Sequence, residues 1–424
     1  MRPRPFLALL ALAGVAGFVF ASVSTYDFVA HLDRQVHGIH CSFIPGLSDT
    51  DVSGTSGCHV TLNSPYSSVL RSTIWGGLPV SLPAMGVFAY LLFRALDALF
   101  NRRTGDRGLA NYLVAAAALP FLTSLVFGYL SLVELDAACK LCIGIYSSST
   151  IALIAALGFR ATAAPETPPY DPFAPAPLVD EALDEAEQSG GREHAIAFMQ
   201  GVGFVMVPVI LYLSAAPDFS SYVGSCGSLA KPEDTYGVMV PIDPNPSGRD
   251  TIEVMDPLCP SCKGFERRLE SSGLGASMNR KLVLFPLDNT CNWMVTSTLH
   301  PGACTISEAV LCAGDQADAV MDWAFEHQDE IRTASAADPS AAATMVGAQF
   351  PALKSCVGSA SAKAKLNKSL RWAVANKLAV MTPQVYVDGV KLCDEDTDIG
   401  MDFALSRLLQ NKVAPSPEAR QGGL

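Results

Sequence analysis

The chain has 424 residues, of which 50% are hydrophobic and 17% are charged. This length predicts about two to four domains, and the apolar share is more than one ordinary soluble domain carries. The net charge of −12 argues against a nucleic-acid partner, because such a partner requires a basic surface. Twelve cysteines are many for a reducing compartment, so the sequence indicates an oxidising space outside the cytoplasm.

Five stretches without a formal charge are long enough to cross a bilayer, which takes about 20 residues. They are residues 5–26, 72–93, 108–133, 141–159 and 195–217. The first is longer than the core of a typical signal peptide, so we interpret it as a retained span. The arginines near the span ends favour a cytoplasmic N-terminus by the positive-inside rule. The first loop and everything after residue 217 are then expected on the outer side.

The predicted fold is a four-helix membrane bundle, all α, with an extra transmembrane helix, followed by an α/β domain. A segment rich in proline, alanine and acidic residues separates the fourth and fifth spans, and its composition favours disorder. The expected units are the four-helix domain at 1–160, a disordered cytoplasmic linker at 161–194, the fifth helix at 195–217, a second linker at 218–234, the α/β domain at 235–411 and a disordered tail at 412–424.

A CxxC motif opens the fourth predicted span, at Cys139 and Cys142. Two thiols at this spacing lie on one helix face and can close or open as a pair. The partial positive charge of the helix N-terminus favours a thiolate there. Cys41 and Cys58 lie in the loop predicted on the same side. A structural disulfide or a zinc site remains an alternative, since four histidines also lie in that region: His31, His37, His40 and His59.

Residues 1–160 resemble the vitamin K epoxide reductase family. The resemblance rests on four helices, a cysteine-bearing first outer loop and a CxxC at the start of helix four. Other positions also match the family pattern: Ser64, Gly77-Leu78-Pro79, Gly86, Tyr90 and Tyr146. The departure is the loop, since Cys41 and Cys58 are further apart than the family usually shows.

The resemblance implies a set of roles for the membrane cysteines. Cys142 would be the thiolate that faces a quinone, and Cys139 would receive electrons from the shuttle pair Cys41 and Cys58. Ser64 and Tyr146 would help to hold or polarise the quinone, with ordinary helix packing as the alternative for each. Ubiquinone or menaquinone is expected, without a flavin or a metal, because no dinucleotide fingerprint follows a predicted strand.

A second CxxC lies in the C-terminal half. Residues 251–255 form a predicted buried strand that runs into Cys259-Pro-Ser-Cys262 and an amphipathic helix, which is the redox arrangement of a thioredoxin-like fold. A helical insertion is expected up to about residue 378. Thr382 and Pro383 then resemble the cis-proline loop that faces the CxxC and positions substrates. Residues 235–411 therefore resemble a thioredoxin-like domain of the DsbA kind.

Six further cysteines are expected to form structural disulfides, because the predicted compartment is oxidising. They are Cys226, Cys291, Cys304, Cys312, Cys356 and Cys393. Pairs of Cys291 with Cys304 and of Cys312 with Cys356 are our hypotheses, among fifteen pairings. A free thiol at Cys226 is the alternative for that residue.

The expected function is quinone-dependent oxidation of thiols in exported proteins, with the membrane quinone pool as the electron acceptor. The expected location is the bacterial inner membrane, crossed several times, with the thioredoxin-like domain on the periplasmic side. Two alternatives remain. The same parts would serve a disulfide isomerase or reductase, and a membrane-anchored chaperone would use every cysteine structurally.

Overall fold

The structure is a computed structural model that describes residues 3–33, 38–43, 50–51, 56–103, 105–163 and 179–410, with the backbone alone for 50–51 and 179–191. The chain forms two compact units. The first comprises Met1–Leu70 and Gly77–Pro217, and the second comprises Arg71–Gly76 and Asp218–Leu424.

The first unit is helical. Its helices are α1 (Arg4–Ala30), α2 (Gly57–Leu62), α3 (Ser81–Phe100), α4 (Arg107–Tyr129), α5 (Lys140–Thr162) and α6 (Val179–Ala215). Two short antiparallel pairs join them: β1 (Ile39–His40) with β2 (Thr50–Asp51), and β3 (Ser68–Val69) with β4 (Leu78–Pro79). Within the described residues, five helices (α1 and α3 to α6) are long and apolar enough to cross a membrane, as the sequence predicts.

Small residues let these helices approach one another. A Cβ atom on Gly17 of α1 would lie 2.3 Å from the ring of Phe88 on α3. A Cβ atom on Gly144 of α5 would lie 2.7 Å from the ring of Phe20 on α1. Close packing of this kind holds membrane helices together where no hydrophobic force acts between them, because lipid is as apolar as leucine.

The second predicted span, 72–93, is wrong in its boundaries. Helix α3 begins at Ser81, and the preceding chain forms β4 instead. The charge-free run of the sequence ends before Arg94, but this residue lies inside the helix, where its guanidinium is 3.7 Å from the Asp97 carboxylate. Pairing makes a charge near a membrane less costly, so the helix continues past it.

The predicted disordered linker, 161–194, is helical in part. Helix α5 continues to Thr162, and α6 already begins at Val179. Residues 179–188 read VDEALDEAEQ, and alanine, leucine and glutamate all have high helix propensity. The prediction of disorder, which was based on the acidic composition, is therefore wrong for the part of this segment that is helical. Residues 164–178 and the predicted tail at 412–424 lie outside the described residues.

The second unit is a mixed sheet with helices. The strand order is β5 (Val240–Pro241), β7 (Met278–Leu284), β6 (Arg249–Met255), β8 (Gln384–Val387) and β9 (Val390–Lys391). Strands β6 and β7 are parallel, and the other pairs are antiparallel. Helix α7 (Pro260–Ser272) follows β6. The predicted helical insertion between β7 and β8 comprises α8 (Ala303–Ala313), α9 (Ala317–Glu326), α10 (Gln328–Ala337), α11 (Ala341–Gln349) and α12 (Ala360–Ala375), and α13 (Met401–Leu409) comes last.

The predicted second linker, 218–234, is an ordered part of this unit. Leu229 is buried in the core, and the backbone N–H of Lys231 donates to the Asn376 side chain at 2.7 Å. Residues Arg71–Gly76 also belong to the second unit, where the Trp75 ring packs edge-on against Phe403 with the ring centroids 5.6 Å apart. Sequence composition missed both segments because each is short and lacks a periodic pattern.

Three disulfides close loops in the second unit. Cys291 pairs with Cys304 and Cys312 pairs with Cys356, so both hypotheses are confirmed. Cys226 pairs with Cys393 across 167 residues, and the alternative of a free thiol at Cys226 is wrong. A fourth disulfide, in the first unit, joins Cys41 and Cys58. The four cysteines outside these disulfides are free thiols and form the two CxxC motifs: Cys139, Cys142, Cys259 and Cys262. 

Candidate redox centres

The first CxxC motif opens helix α5. Cys139 is the N-cap residue, with an extended backbone (φ −86°, ψ 117°), and its Sγ accepts a hydrogen bond from the Cys142 backbone N–H at 3.2 Å. Cys139 is buried, whereas Cys142 is partly exposed. The positive end of the helix therefore points at the Cys139 sulfur, where it favours a negative charge.

The loop cysteines Cys41 and Cys58 form a disulfide. Cys58 is the second residue of the short helix α2 and is 2% exposed. The residue before it, Gly57, packs against the chain that leads into Cys139, since a Cβ atom on Gly57 would lie 2.3 Å from the Ala138 carbonyl oxygen. Glycine at this position thus lets α2 carry Cys58 up to the start of α5.

Thr61 also belongs to this centre, and sequence reasoning missed it. Its hydroxyl lies one turn after Cys58 on α2 and donates to the Gly57 and Cys58 carbonyl oxygens, at 2.9 and 3.1 Å. The same side chain lies close enough to the thiols of Cys139 and Cys142 to interact with both, and it lines the same cavity wall. A threonine in a cysteine-bearing loop is an ordinary residue, so the sequence offers no signal that its hydroxyl reaches a different helix.

A cavity of about 460 Å³ opens beside these sulfurs in the first unit. Cys58, Cys139 and Cys142 all contribute to its wall. Most of the remaining wall is apolar, and none of the described residues that line it carries a formal charge. The apolar lining includes Phe28, Leu62, Phe88, Pro120, Leu135 and Ile145.

The two residues predicted to hold a quinone, Ser64 and Tyr146, both line this cavity. Tyr146 lies one turn after Cys142 on α5, and its side chain lies close enough to the Cys142 thiol to interact with it. The Ser64 hydroxyl donates instead to the Thr61 carbonyl oxygen at 2.7 Å. Tyr146 therefore presents its hydroxyl beside the reactive sulfur, whereas Ser64 also serves the local backbone.

Gly86 and Tyr90, which also match the family pattern, lie away from the cavity wall. A Cβ atom on Gly86 would lie 2.6 Å from the Phe204 carbonyl oxygen, and the Tyr90 hydroxyl donates to the Ala197 carbonyl oxygen at 2.6 Å. Both contacts hold α6 against α3. In this chain the two positions serve helix packing.

This arrangement suits exchange between sulfurs and a neutral organic molecule. A disulfide and a dithiol share one wall, and the space beside them is apolar and of a size typical for small-molecule sites. Thr61 and Tyr146, which both lie near the free thiols, contribute hydroxyl groups to this wall. The geometry can therefore position an uncharged ligand against Cys142.

The second CxxC motif repeats the helix-capping arrangement in the other unit. Cys259 is the N-cap residue of α7, again with an extended backbone (φ −82°, ψ 120°). Its Sγ lies 3.5 Å from the Thr382 carbonyl oxygen. The Thr382–Pro383 peptide bond is cis, as the sequence predicts. The loop that holds these two residues thus faces Cys259.

The two thiols of this motif differ in acidity. A hydrogen bond from Cys262 lowers the pKa of Cys259 to about 6, despite the opposing effect of burial. Cys262 is completely buried, and burial raises its pKa well above the ordinary value. At neutral pH Cys259 is therefore a thiolate and the available nucleophile, whereas Cys262 keeps its proton.

Asp256 and His300 lie next to this motif, and sequence reasoning missed both. The Asp256 carboxylate is fully buried and lies 2.7 Å from His300 Nδ1. Burial lowers the pKa of His300, but the hydrogen bond and charge of Asp256 outweigh it, so the pKa lies above its usual value. The residues are 44 positions apart, which left no spacing motif to find.

No zinc site forms around the first CxxC in the part of the chain that the structure describes. The histidines there have other contacts: His31 Nδ1 lies 2.7 Å from the Asp27 carbonyl oxygen, and His40 Nδ1 lies 2.6 Å from the Asp27 carboxylate. His37 lies outside the described residues. One group of metal-type ligands occurs among the described residues, Cys226, Cys393 and Glu395, but its two sulfurs are joined in a disulfide.

Both units thus present dithiol centres at helix N-termini, which defines a thiol–disulfide redox protein by its sites. Residues 8–157 match the model of the Vitamin K epoxide reductase family. Apart from residues 71–76, the matched region lies in the first unit, and it contains both of that unit's cysteine pairs. A comparison with curated proteins gives no match. The family match and the apolar helices support a multi-pass membrane protein with a thiol–disulfide oxidoreductase role.

Proposed function

We propose that this protein oxidises thiols of exported proteins and passes the electrons to a membrane quinone through three cysteine pairs. The expected acceptor is ubiquinone or menaquinone, and the expected location is the bacterial inner membrane. The second unit would then lie on the periplasmic side, where exported clients fold. The uneven distribution of arginines along the sequence supports this orientation.

The second unit would act as a thioredoxin-like domain of the DsbA kind. Three features support this assignment: a central parallel strand pair, a CxxC motif between strand β6 and helix α7, and a loop at Thr382 and Pro383 that faces Cys259. The five-helix insertion between β7 and β8 is consistent with the same type of domain. In this proposal Cys259 and Cys262 meet the client.

The relay consists of thiol–disulfide exchanges that each move two electrons. The thiols of a client reduce the Cys259–Cys262 disulfide, and the client gains a disulfide. The resulting dithiol then reduces the Cys41–Cys58 disulfide. Cys58 attacks Cys139 of the Cys139–Cys142 disulfide and releases Cys142, and Cys41 resolves the mixed disulfide. Finally, the Cys139–Cys142 dithiol reforms its disulfide as the quinone takes two electrons and two protons to become a quinol.

One observation carries the proposal: three sulfurs of two cysteine pairs line a single uncharged, largely apolar cavity. A water-soluble acceptor would require polar or charged groups for binding, and the described lining has none with a formal charge. A quinone is neutral, dissolves in lipid and accepts two electrons. Tyr146, whose hydroxyl reaches Cys142, would hydrogen-bond to a quinone oxygen.

The acidity of Cys259 supports oxidation as the net direction. Its pKa of about 6 stabilises the reduced form of the motif as a thiolate. A dithiol stabilised in this way makes its disulfide more oxidising than that of a motif with unperturbed thiols.

Quinone reduction by purified full-length protein tests the proposal. With a reduced client protein as donor, the unaltered chain is expected to form quinol, whereas Cys142→Ser should fall to the background rate. Ser147→Ala is a matched control, because Ser147 lies on the exposed side of the same helix. Undiminished quinol formation by Cys142→Ser would overturn the relay.

A further inference from the structure

Asp256 places a negative charge close to the nucleophile of the second unit. Its backbone oxygen accepts a hydrogen bond from the Cys259 N–H at 3.1 Å, so the two residues share one turn. The carboxylate is fully buried, and its charge raises the pKa values of Cys259 and Cys262. An uncompensated carboxylate here would therefore oppose the thiolate that thiol exchange requires.

The backbone holds this carboxylate firmly in place. Asp256 Oδ1 accepts from the Leu258 N–H at 2.8 Å, and Oδ2 accepts from the Leu287 N–H at 2.7 Å. The first donor is in the turn before α7, and the second follows strand β7. Asp256 therefore cannot turn away from the motif without losing two buried hydrogen bonds.

His300 approaches the same carboxylate from a separate loop. Its Nδ1 lies 2.7 Å from Asp256 Oδ2, and its side chain is largely buried. The His300 backbone N–H donates to the Leu287 carbonyl oxygen at 3.2 Å, and the disulfide between Cys291 and Cys304 closes the surrounding loop. Both members of the pair are thus fixed by independent contacts.

We propose that His300 and Asp256 are positioning residues for Cys259, in which protonated His300 cancels the Asp256 charge and so favours the Cys259 thiolate. This inference deepens the proposed function, because it assigns control of the client-facing sulfur to a histidine outside the CxxC motif. Deprotonation of His300 would restore the carboxylate charge and make Cys259 less reactive.

On balance, the charged groups around the pair favour the protonated form of His300, which this proposal requires. Asp256 and the Cys259 thiolate both favour the protonated form of His300, and Arg332 on α10 opposes it. The balance raises the pKa of His300 above its usual value. His300 therefore keeps its proton at pH values where an ordinary histidine loses it, and the compensation extends over a wider pH range.

A test compares a neutral and a positively charged replacement of His300. His300→Gln and His300→Lys can both donate a hydrogen bond to Asp256, but only lysine is positive. The full chain in detergent, mildly reduced, is alkylated with iodoacetamide over a pH series that spans the Cys259 pKa of about 6. Mass spectrometry of the Cys259 peptide gives the rate at that one thiol.

The proposal predicts that His300→Gln raises the apparent pKa of Cys259 by about one unit, which makes alkylation about tenfold slower at acidic pH. His300→Lys should keep the pKa of the unaltered chain. Equal titration of Cys259 in the two variants would overturn the proposal. If His300→Gln does not fold, Asp256→Asn asks the same question with the opposite sign, because loss of the carboxylate should lower the pKa.

Lys391→Gln is the control for loss of a cation. Lys391 lies on the edge strand β9, and its Nζ donates to the Asp394 carboxylate at 2.7 Å. The titration of Cys259 should not change in this variant. Alkylation needs neither a quinone nor a client protein. The alkylation test therefore remains valid even if the relay is disproved. Equal titration in the two His300 variants would reject the role of His300 without bearing on quinone reduction, which has its own assay.

Discussion

At the scale of single residues, the two CxxC motifs share a geometry but differ at the second cysteine. Cys139 and Cys259 both cap a helix with nearly the same backbone angles. Cys262 is fully buried, whereas Cys142 is partly exposed and lines a cavity. In the proposed relay the same local structure would therefore serve two partners, with Cys259 meeting client proteins and Cys142 meeting the quinone.

Tyr146 provides a prediction at this scale. Its side chain lies close to the Cys142 thiol and lines the cavity. Tyr146→Phe removes a donor beside the reacting atoms, so quinol formation should fall by about a hundredfold at saturating quinone. Ser64→Ala should have a smaller effect, because the Ser64 hydroxyl already donates to the Thr61 carbonyl oxygen.

The control for this measurement is Tyr129→Phe. Tyr129 lies on α4, is 58% exposed and is not among the residues that line the cavity. Quinol formation should be unchanged in that variant. Equal rates for Tyr146→Phe and the unaltered chain would show that the tyrosine hydroxyl has no part in quinone reduction.

The two CxxC motifs could be predicted from the sequence, but the side chains that surround them could not. A CxxC spacing is visible in any sequence, and its position before a helix follows from local patterns. Thr61 reaches Cys139 from a different element, and His300 reaches Asp256 across 44 positions. Such contacts depend on tertiary packing, which no local pattern encodes.

At the scale of elements, the contact between α2 and the start of α5 brings together the two cysteine pairs of the first unit. Gly57 has no side chain where the Ala138 carbonyl oxygen lies, so the backbones touch directly. Cys58 follows Gly57 in sequence, and Cys139 follows Ala138. In the proposed relay this close approach would bring Cys58 to Cys139 for exchange.

Gly57→Ala tests this role. The added methyl group would lie 2.3 Å from the Ala138 carbonyl oxygen, so α2 must shift away from α5. A displacement of about 1 Å can cost about a hundredfold in rate, so client oxidation should fall by at least tenfold. Gly203→Ala is the matched control, because no atom lies within 4 Å of a Cβ there. An equal rate in both variants would contradict this assignment.

The elements show where composition is a good guide and where it is not. Hydropathy predicted the long apolar helices correctly, because a run of about 20 apolar residues is rare outside membrane spans. The predicted second span has wrong boundaries at both ends. The paired Arg94 lies within α3, and Leu78 and Pro79, which precede that helix, form β4. Segments 71–76 and 218–234 join the second unit through tertiary contacts that composition does not report.

At the scale of the whole molecule, the proposed relay joins two units of one chain. Exchange between covalently linked partners benefits from an effective concentration in the millimolar range for a short flexible connection. The number of client molecules oxidised per chain and per second, at saturating client and quinone, should therefore not depend on the concentration of the chain. This property follows from the covalent link and requires no fixed contact between the units.

Covalent capture of the exchange between Cys259 and the loop pair tests the relay most directly. In the double variant Cys58→Ser and Cys262→Ser, neither Cys41 nor Cys259 keeps its resolving partner. Cys41 is more exposed than the almost fully buried Cys58, so it is the expected target of Cys259. Mild oxidation followed by mass spectrometry under non-reducing conditions identifies the sulfurs that join. The relay predicts a Cys41–Cys259 disulfide within one chain, formed equally at low and high protein concentration. A Cys259 that stays unpaired, or that joins only to a second chain, would contradict it.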